Sequence, residues 1–453
     1  MNESMFSVLL DVGRARRQGL GAIAQRRRAR LDAMVTFARS NSPYYRELYQ
    51  HLPERIENHT ALPVVSKQEL MRHFDDWVAD REVTFTEVRT FVDNPELIGQ
   101  QFIGKYSVAM TSGSTGTPGI FLLDRRNWVV TLALSLRMMM SWLSAGDMLR
   151  LLVRGGRAAT VYAMGGHYIG ATSYGAIRTK RAARRLRALP AQMPLRDLVV
   201  ELNRFRPALL AGYASIMALL AGEQEAGRLH IRPVLVHPSS EGLSPDGYKR
   251  IARVFGAKVR TFYAATECLF IAVGCEHGWH HVNSDWVMLE PVDADYRPVA
   301  PGQESDTVLV SNLANRVQPI LRYDLGDRIL QRPDPCPCGN LLPAIRLRGR
   351  AADVPTFPTE RGEKVSMPPL VLEVDHVPGV ELFQLVQSAP TLLRVRLRTA
   401  ADADPNRVWQ AVHAELAKLL TEHELGHVSI ELAAEPPIAS SSGKYRTVIA
   451  LHR

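Results

Sequence analysis

Thr111-Ser112-Gly113-Ser114-Thr115-Gly116-Thr117-Pro118-Gly119 is the stretch on which the reading of this chain turns. The apolar run Val108-Ala109-Met110 precedes it and Ile120-Phe121-Leu122-Leu123 follows, so it reads as a hairpin-like loop between two short strands. Glycines let backbone N–H groups converge with no Cβ in the way, and serine and threonine hydroxyls add further donors. Such a concave array of donors suits the oxygens of a polyphosphate. It is not a Walker loop, because no Gly-Lys-Ser/Thr follows.

At 453 residues the chain is long enough for two or more domains. Apolar content of 46% and charged content of 22% are those of an ordinary soluble globular protein rather than a disordered or fibrous one. The N-terminal segment is rich in arginine, with Arg14, Arg16, Arg17, Arg26, Arg27, Arg28 and Arg30, and its apolar run Met5–Leu10 is too short for the core of a signal peptide. No window reaches the roughly 18 apolar residues of a membrane helix. These features set the expectation of a cytoplasmic protein with no membrane partner. A net charge of +9 raises the question of nucleic acid, and a second basic run, Arg178-Thr179-Lys180-Arg181 with Arg184, Arg185 and Arg187, sharpens it. Aromatic residues are not interleaved with these charges and no nucleic-acid motif is present, so no nucleic-acid partner is expected. Nucleotides, coenzyme A or an acidic carrier protein suit the same charge.

Residues 1–60 read as helices punctuated at Ser40–Tyr45, and Ser66 reads as the cap of a helix. Trp128–Trp142 reads as an apolar helix and Leu149–Val153 as a strand. Alternating strands and helices through Leu209–Tyr213, Val234–Val236 and Lys258–Phe262 argue for α/β layers with mostly parallel pairing. Past Arg350 the pattern changes to strand, strand, helix, strand: Val380–Gln387, Leu392–Arg398, a helix opened by Asp404-Pro405 and Val428–Leu432. That tail reads as a separate, compact domain.

The four cysteines, Cys268, Cys275, Cys336 and Cys338, form no disulfide framework. Cys275-Glu276-His277, His280-His281 and Cys336-Pro337-Cys338-Gly339 offer soft ligands at spacings that a tetrahedral zinc ion uses, and reduced, buried cysteines are the alternative. Cys268, beside Glu267, reads as core.

The ordered T-S-G-S-T-G-T-P-G resembles the phosphate loop of the adenylate-forming superfamily, which includes acyl- and aryl-CoA ligases, luciferases and peptide-synthetase adenylation domains. The pair Ser42-Pro43-Tyr44-Tyr45-Arg46 and Leu62-Pro63-Val64-Val65-Ser66-Lys67 is similar to the phenylacetate–CoA ligase and CapK-like branch. Further boxes follow in the superfamily's order. The resemblance implies that Thr111, Ser112, Gly113, Ser114, Thr115, Gly116 and Thr117 hold the ATP phosphates. Tyr263-Ala264-Ala265-Thr266-Glu267 resembles the Y-G-x-T-E box, which implies that Tyr263 lies near the adenine, Thr266 contacts the α-phosphate and Glu267 binds Mg²⁺, with Ala264 in place of the usual glycine. Leu321-Arg322-Tyr323-Asp324-Leu325-Gly326-Asp327 resembles the Y-R-x-G-D box, which makes Asp327 the ribose ligand. Leu347-Arg348-Gly349-Arg350 resembles the hinge box, with Arg350 as a ribose or phosphate contact and Ala352 where relatives often carry an acid. Ser442-Gly443-Lys444 resembles the C-terminal box, with Lys444 as the adenylation lysine. By the same layout the acid pocket is lined by Tyr213, Ser239, Ser240, Glu241 and Gly242 with Ala264 and Ala265, and Glu241 hints at an amino or hydroxyl group on the acid. Comparison on His281-Val282-Asn283-Ser284-Asp285 favours His281 over His277 or His280 as the fourth zinc ligand, beside Cys275, Cys336 and Cys338.

The resemblance implies an α/β fold: a large multi-layer adenylation domain over residues 1–349 and a small mobile α+β domain over 350–453 that carries Lys444. The implied activity joins a small carboxylic acid, of aryl or related type, to ATP as an acyl-adenylate and passes the acyl group to coenzyme A or a carrier-protein phosphopantetheine. ATP, Mg²⁺ and a structural Zn²⁺ are the implied cofactors. Transfer to an amine, or activation of another anionic group, is the alternative within the fold. A non-catalytic, zinc-containing nucleic-acid or nucleotide-binding adaptor is the alternative of another class.

Overall fold

The computed structural model describes residues 5–56, 58–111, 119–164, 166–170, 172, 185–240, 242–243, 245–350, 354–362, 364–367, 372, 374, 377–438 and 445–451. Ser112–Thr117, Glu241 and Lys444 therefore lie outside the described residues. The chain divides into two compact units, one made of residues 1–149, 164–183 and 260–347, the other of 150–163, 184–259 and 348–453.

The first unit opens with the helical segment Met5–Asn41, which is broken at Gly19 by a positive φ of 83°. Fifteen residues of straight helix would span about 22 Å. Yet Arg26 Nε lies 2.8 Å from Asp11 Oδ1, and Arg30 also pairs with Asp11, so the segment turns back on itself at Gly19 as a helical hairpin. Ser42 caps the next helix, Pro43–Leu48, and Ser66 caps Lys67–Arg72, as the sequence predicts. The strands Tyr106–Met110 and Ile120–Leu123 pair antiparallel with Met110 opposite Ile120, so the glycine-rich stretch does join the two strands of a hairpin. A five-stranded sheet has the order Asp327–Gln331, Ala344–Arg350, His280–Val282, Cys268–Gly274 and Phe262–Ala265. A three-stranded antiparallel sheet is formed by Val287–Val292, Thr307–Asn312 and Ile320–Asp324. One large apolar core, from Val8 through Trp77, Phe121 and Trp286 to Ile345, serves these elements.

In the second unit five parallel strands take the order Leu186–Pro190, Ala158–Tyr162, Leu209–Tyr213, Leu235–Ser239, Lys258–Val259. Two of the crossovers are the helices Ala214–Glu225 and Pro245–Phe255, with Met217, Leu220, Ile251 and Phe255 buried. Tight packing at the middle strand requires Gly212, where a Cβ would meet the Val161 carbonyl oxygen at 2.7 Å. Residues 357–448 have a separate core. There Val380–Ala389 and Leu392–Thr399 pair antiparallel, Ser429–Leu432 and Val448–Ile449 add parallel strands on either side, and the helix Pro405–Glu422 buries Val408, Val412, Leu416 and Leu420.

One expectation is corrected. Leu149–Val153 is not a strand but part of the helix Ala145–Val153. A five-residue apolar run fits either element. Here Asp147 accepts from the Ser144 backbone N–H at 2.9 Å and Ser144 Oγ accepts from the Asp147 N–H at 3.2 Å, a reciprocal cap that starts a helix. Gly155 and Gly156, both with positive φ, end it. Mostly parallel pairing, expected from the alternating strands and helices, holds for the sheet of residues 158–259, whereas the pairings among Phe262–Gly274, His280–Val282 and Val287–Asp324 are antiparallel. Most connections there are too short for a crossover helix, and hairpins are what short connections allow.

Candidate active site and metal centre

Thr111 stands at the mouth of the first hairpin. Its backbone N–H donates to the Gly119 carbonyl at 2.9 Å, and its hydroxyl accepts from the Gly119 N–H at 2.8 Å. The threonine thus clamps the two ends of the glycine-rich stretch, which fixes where that loop leaves the sheet.

Thr266 and Glu267 form the two-residue tip between the strands Phe262–Ala265 and Cys268–Gly274, with Cys268 paired to Ala265. A tip this short leaves no freedom to the residues it carries. Glu267 is buried, and two neighbours from the adjoining three-stranded sheet hold it: Tyr323 donates from its hydroxyl to Glu267 Oε1 at 2.9 Å, and Asn312 Nδ2 donates to the Glu267 carbonyl at 3.0 Å. Thr266 and Ala265 are half-buried and Ala264 is exposed. Cys268 is buried in the main core, where desolvation pushes its thiol up to about 12, as befits a core residue.

Asp327 begins the next strand directly after Gly326, whose φ of +70° makes the turn. Tyr263 donates from its hydroxyl to Asp327 Oδ2 at 2.6 Å. Two boxes that lie 64 residues apart are thereby brought together. Arg322, in the same run, is buried with a φ of +47° and donates to the carbonyls of Thr60 at 2.9 Å and Leu62 at 2.6 Å, while its Nε lies 3.3 Å from Glu290. That strained backbone anchors the residues on either side of it, Leu321 and Tyr323.

In the second unit, the parallel sheet reverses its strand order between Ala158–Tyr162 and Leu209–Tyr213. Ligands of open parallel sheets bind beyond the carboxyl ends of the strands at such a reversal. Tyr162 and Tyr213 are the last residues of those two strands, with ring centroids 5.3 Å apart, edge to face. Tyr213 is buried, and its hydroxyl accepts from the Ala163 N–H at 3.3 Å. The hydroxyls of Tyr162 and Ser239 are 2.7 Å apart. Ser240 follows with a φ of +65° and is exposed, as is Gly242. Tyr162, Tyr323 and Asn312 were not singled out by the sequence. The position of Tyr162 at the end of a parallel strand was the available signal for it.

The second constellation is the cysteine and histidine cluster. Ligand atoms of Cys275, His281, Cys336 and Cys338 all lie within 4.8 Å of one another. Cys275 Sγ is 3.8 Å from Cys336 Sγ, and Cys338 Sγ is 3.1 Å from His281 Nε2. Zinc–sulfur bonds of about 2.3 Å in a tetrahedron give edges of about 3.8 Å, so the set has the size of a zinc site. His281 Nδ1 lies 3.0 Å from the Leu342 carbonyl, an arrangement that places the proton on Nδ1 and the lone pair of Nε2 toward the sulfurs. His280 Nε2 instead faces Thr261 Oγ1 at 2.9 Å, and His277 is exposed beside Glu276. Tight turns shape the cluster: Gly278 donates to the Cys275 carbonyl and Gly339 to that of Cys336, both with positive φ. Burial, with the neighbouring thiols of Cys336 and Cys275 adding to it, pushes the Cys338 thiol up to about 12. Arg332 and Arg346 stack on Trp279 at the edge of the cluster.

No family model and no curated protein matches the chain. Solved structures do. The chain is similar to 2-hydroxyisobutyryl-CoA ligase in the postadenylation state in complex with R3-HIB-AMP, at 24% identity, covering 96% of this chain and 89% of that one, with a TM-score of 0.67. It is also similar to an open conformation of that ligase in complex with 2-HIB-AMP and CoA, at 23% identity over 96% of this chain and 91% of that one, with a TM-score of 0.58. Fatty acyl-adenylate ligases from E. coli and L. pneumophila match 75% of this chain and 67% of theirs at 14% identity, with a TM-score of 0.51. A benzoate CoA ligase from Burkholderia xenovorans LB400 matches 75% of this chain and 66% of its own at 15% identity, with a TM-score of 0.50. The mixed α/β architecture described above is thus the fold of these CoA and acyl-adenylate ligases.

Proposed function

We propose that this protein is an AMP-forming acid–thiol ligase of the phenylacetate–CoA ligase-like kind, acting on a small aryl or related carboxylic acid. The observation that carries this reading is the pairing of Tyr263 with Asp327 and of Tyr323 with Glu267, which assembles separate sequence boxes in the fold shared with CoA ligases. In the first half-reaction a carboxylate oxygen attacks the α-phosphorus of ATP, the bond to the bridging oxygen breaks and pyrophosphate leaves. In the second, a thiol sulfur attacks the acyl carbon, the mixed anhydride opens, AMP leaves and the thiol proton passes to solvent. Coenzyme A is the first choice of thiol and a carrier-protein phosphopantetheine the second, in line with the neighbouring ligase's complex with CoA.

Asp327 is suited to the ribose because its two oxygens can accept from two hydroxyls. Thr266 offers a hydroxyl to the α-phosphate from a rigid tip, and Thr111 sets the base of a loop whose residues Ser112–Thr117 cradle the phosphates. Glu267 is a fitting Mg²⁺ ligand, a buried hard-oxygen donor already oriented by Tyr323. Magnesium bound there supplies charge neutralisation of the phosphates. Lys444 is assigned to the incoming carboxylate and bridging oxygen, and Arg350 to the ribose or phosphate. Residues 350–453, with their own core, are taken as the mobile domain that brings Lys444 in. Tyr213, Ser239, Ser240, Glu241 and Gly242 are assigned to the acid by the resemblance, as are Ala264 and Ala265, and Tyr162 joins the first group through its contacts with Tyr213 and Ser239.

Cys275, His281, Cys336 and Cys338 are proposed to hold a structural zinc ion. Four protein ligands leave no open position for substrate, so this ion would brace the turn at Cys275 and the loop at Cys336–Cys338 against the strand His280–Val282 rather than take part in turnover. Acid-dependent exchange of labelled pyrophosphate into ATP tests the ligase reading. A panel of aryl, hydroxyaryl, aminoaryl and fatty acids is expected to contain at least one that drives exchange, followed by AMP release on addition of coenzyme A. Absence of exchange with every class of acid would remove the proposal.

A further inference from the structure

The arginines of the N-terminal helical hairpin take no part in the site described above, and most of them are occupied. Arg26 pairs with Asp11 at 2.8 Å, and Arg28 donates to the Ile56 carbonyl at 2.8 Å and lies 3.5 Å from Asp32. Arg27 differs. It is half-buried, yet among the described residues it makes no hydrogen bond, ion pair or ring contact. Burial acts on its charge with nothing to offset it and holds its pKa below the usual arginine range. A polar group taken from water without a partner costs stability, so its presence asks for a reason.

Two clefts of the first unit share Arg27. One, of about 130 Å³, is walled by Leu289, Pro291 and Ile345 with Ser284 and Gln331. The other, of about 220 Å³, is walled by Ala24, Leu31 and Met288, with Arg28 and His59 beside Arg27. Each has room for several water-sized groups. Among the described residues no acid lines either cleft. Glu290, next to Met288 in the strand, is already held by Arg322 at 3.3 Å, and His59 Nε2 lies 3.4 Å from the same oxygen. The larger cleft therefore gathers Arg27, Arg28 and His59 around apolar walls, with an excess of donors over acceptors. A guanidinium fork matches the oxygens of an oxyanion. A phosphate monoester carries about −1.5 to −2 charges and three acceptor oxygens, enough to use all three groups, where a carboxylate would satisfy one. Ala24, Leu31 and Met288 suit a short hydrocarbon body attached to it.

We propose that the cleft headed by Arg27 binds a small phosphate monoester with an apolar body. The proposal does not rest on the ligase reading. Calorimetric titration of the purified full chain with butyl phosphate tests it, with inorganic phosphate and butyrate as further probes. Butyl phosphate is expected to bind, more weakly as salt rises, and more tightly than either of the other two, each of which lacks one half of the match. Arg27→Met should lose affinity for butyl phosphate about tenfold or more, as should Arg27→Gln, because each removes the charged donor. Both variants should melt no lower than the parent, since Arg27 holds no partner in the empty protein, and butyl phosphate should raise the melting temperature of the parent alone. The proposal is overturned if butyl phosphate does not bind, or if it binds the parent and either variant alike, which would place it at another site such as the glycine-rich loop. Butyrate binding as tightly as butyl phosphate would make the cleft a carboxylate site and overturn the phosphate assignment. A melting temperature well below the parent's in both variants would make Arg27 a structural residue and overturn it too.

Discussion

The Tyr323 hydroxyl donates to Glu267 Oε1 at 2.9 Å across two neighbouring sheets, with both side chains buried. A buried carboxylate needs a donor to satisfy and orient its oxygens, and the proposed Mg²⁺ role of Glu267 would depend on that orientation. Loss of a hydrogen bond to a charged acceptor costs roughly 1.5–3 kcal/mol. Tyr323→Phe keeps the ring that packs in the core, so it should fold. It is expected to raise the magnesium concentration needed for half-maximal pyrophosphate exchange about tenfold, while ATP binding without magnesium is unchanged. Equal shifts in both quantities would make Tyr323 a packing residue only.

Asp327 accepts from Tyr263 at 2.6 Å, and the proposed ribose role would have its carboxylate serve both partners. Asp327→Ala removes the acceptor for both partners and should weaken ATP binding by roughly 1.5–3 kcal/mol per lost bond. Tyr263→Phe should be much milder, because the carboxylate remains. Calorimetric titration with ATP separates the two variants, and unchanged affinity in Asp327→Ala would reduce that residue to a turn former.

How far these relationships could be read from the sequence depends on their range. The hairpin around the glycine-rich stretch, the Ser66 cap and the helix after Asp404 were legible because each is set by neighbours in the chain. Glu267, Asp327 and Tyr263 were legible as residues, but not the hydrogen bonds that hold the two carboxylates, since Tyr323 and Glu267 are 56 positions apart and only the register of two sheets brings them together. Leu149–Val153 reads as a strand because its apolar run is short, whereas the helix is decided upstream by the cap that Ser144 and Asp147 form. The alternation of strands and helices did announce a parallel sheet, but it does not reveal where pairing turns antiparallel.

Arg137 makes a two-pronged pair with Asp285, at 2.9 Å on both oxygens, and also donates to Asn283 Oδ1 at 2.6 Å. Asp285 is fully buried. Removing one partner of such a pair typically costs about 3–5 kcal/mol, because the other charge stays behind without compensation. Arg137→Ala is therefore expected to be among the most destabilising single changes in the first unit. Arg137→Met/Asp285→Leu together should recover much of the loss. Chemical denaturation of the single and double variants checks both statements.

Lys444 is assigned to adenylation alone, and the expected loss is selective. Removing one preorganised charge from a transition state costs about 2.7–4 kcal/mol, or roughly 10²–10³ in rate. Lys444→Ala should lose most pyrophosphate exchange yet convert supplied acyl-adenylate and thiol to thioester. If both half-reactions fell together, the assignment would fail.

The cysteine cluster yields the last prediction. Three thiols and an imidazole lie within 4.8 Å of one another, and His281 brings Nε2 to 3.1 Å from the Cys338 sulfur. A zinc ion turns that arrangement into a brace that links the turn at Cys275, the strand His280–Val282 and the loop at Cys336–Cys338. Binding energy of a metal that only the folded chain can hold is folding energy. Freshly purified protein is expected to carry about one zinc per chain, since four ligands complete one tetrahedron. Cys336→Ser and treatment with a strong chelator should each lower the melting temperature by several degrees, and re-addition of zinc should restore the chelated parent but not the variant. Turnover per folded molecule should change far less than stability, because the closed site offers substrate no position. Metal analysis that finds no zinc, or a chelator that halts turnover while leaving melting untouched, would contradict the structural role.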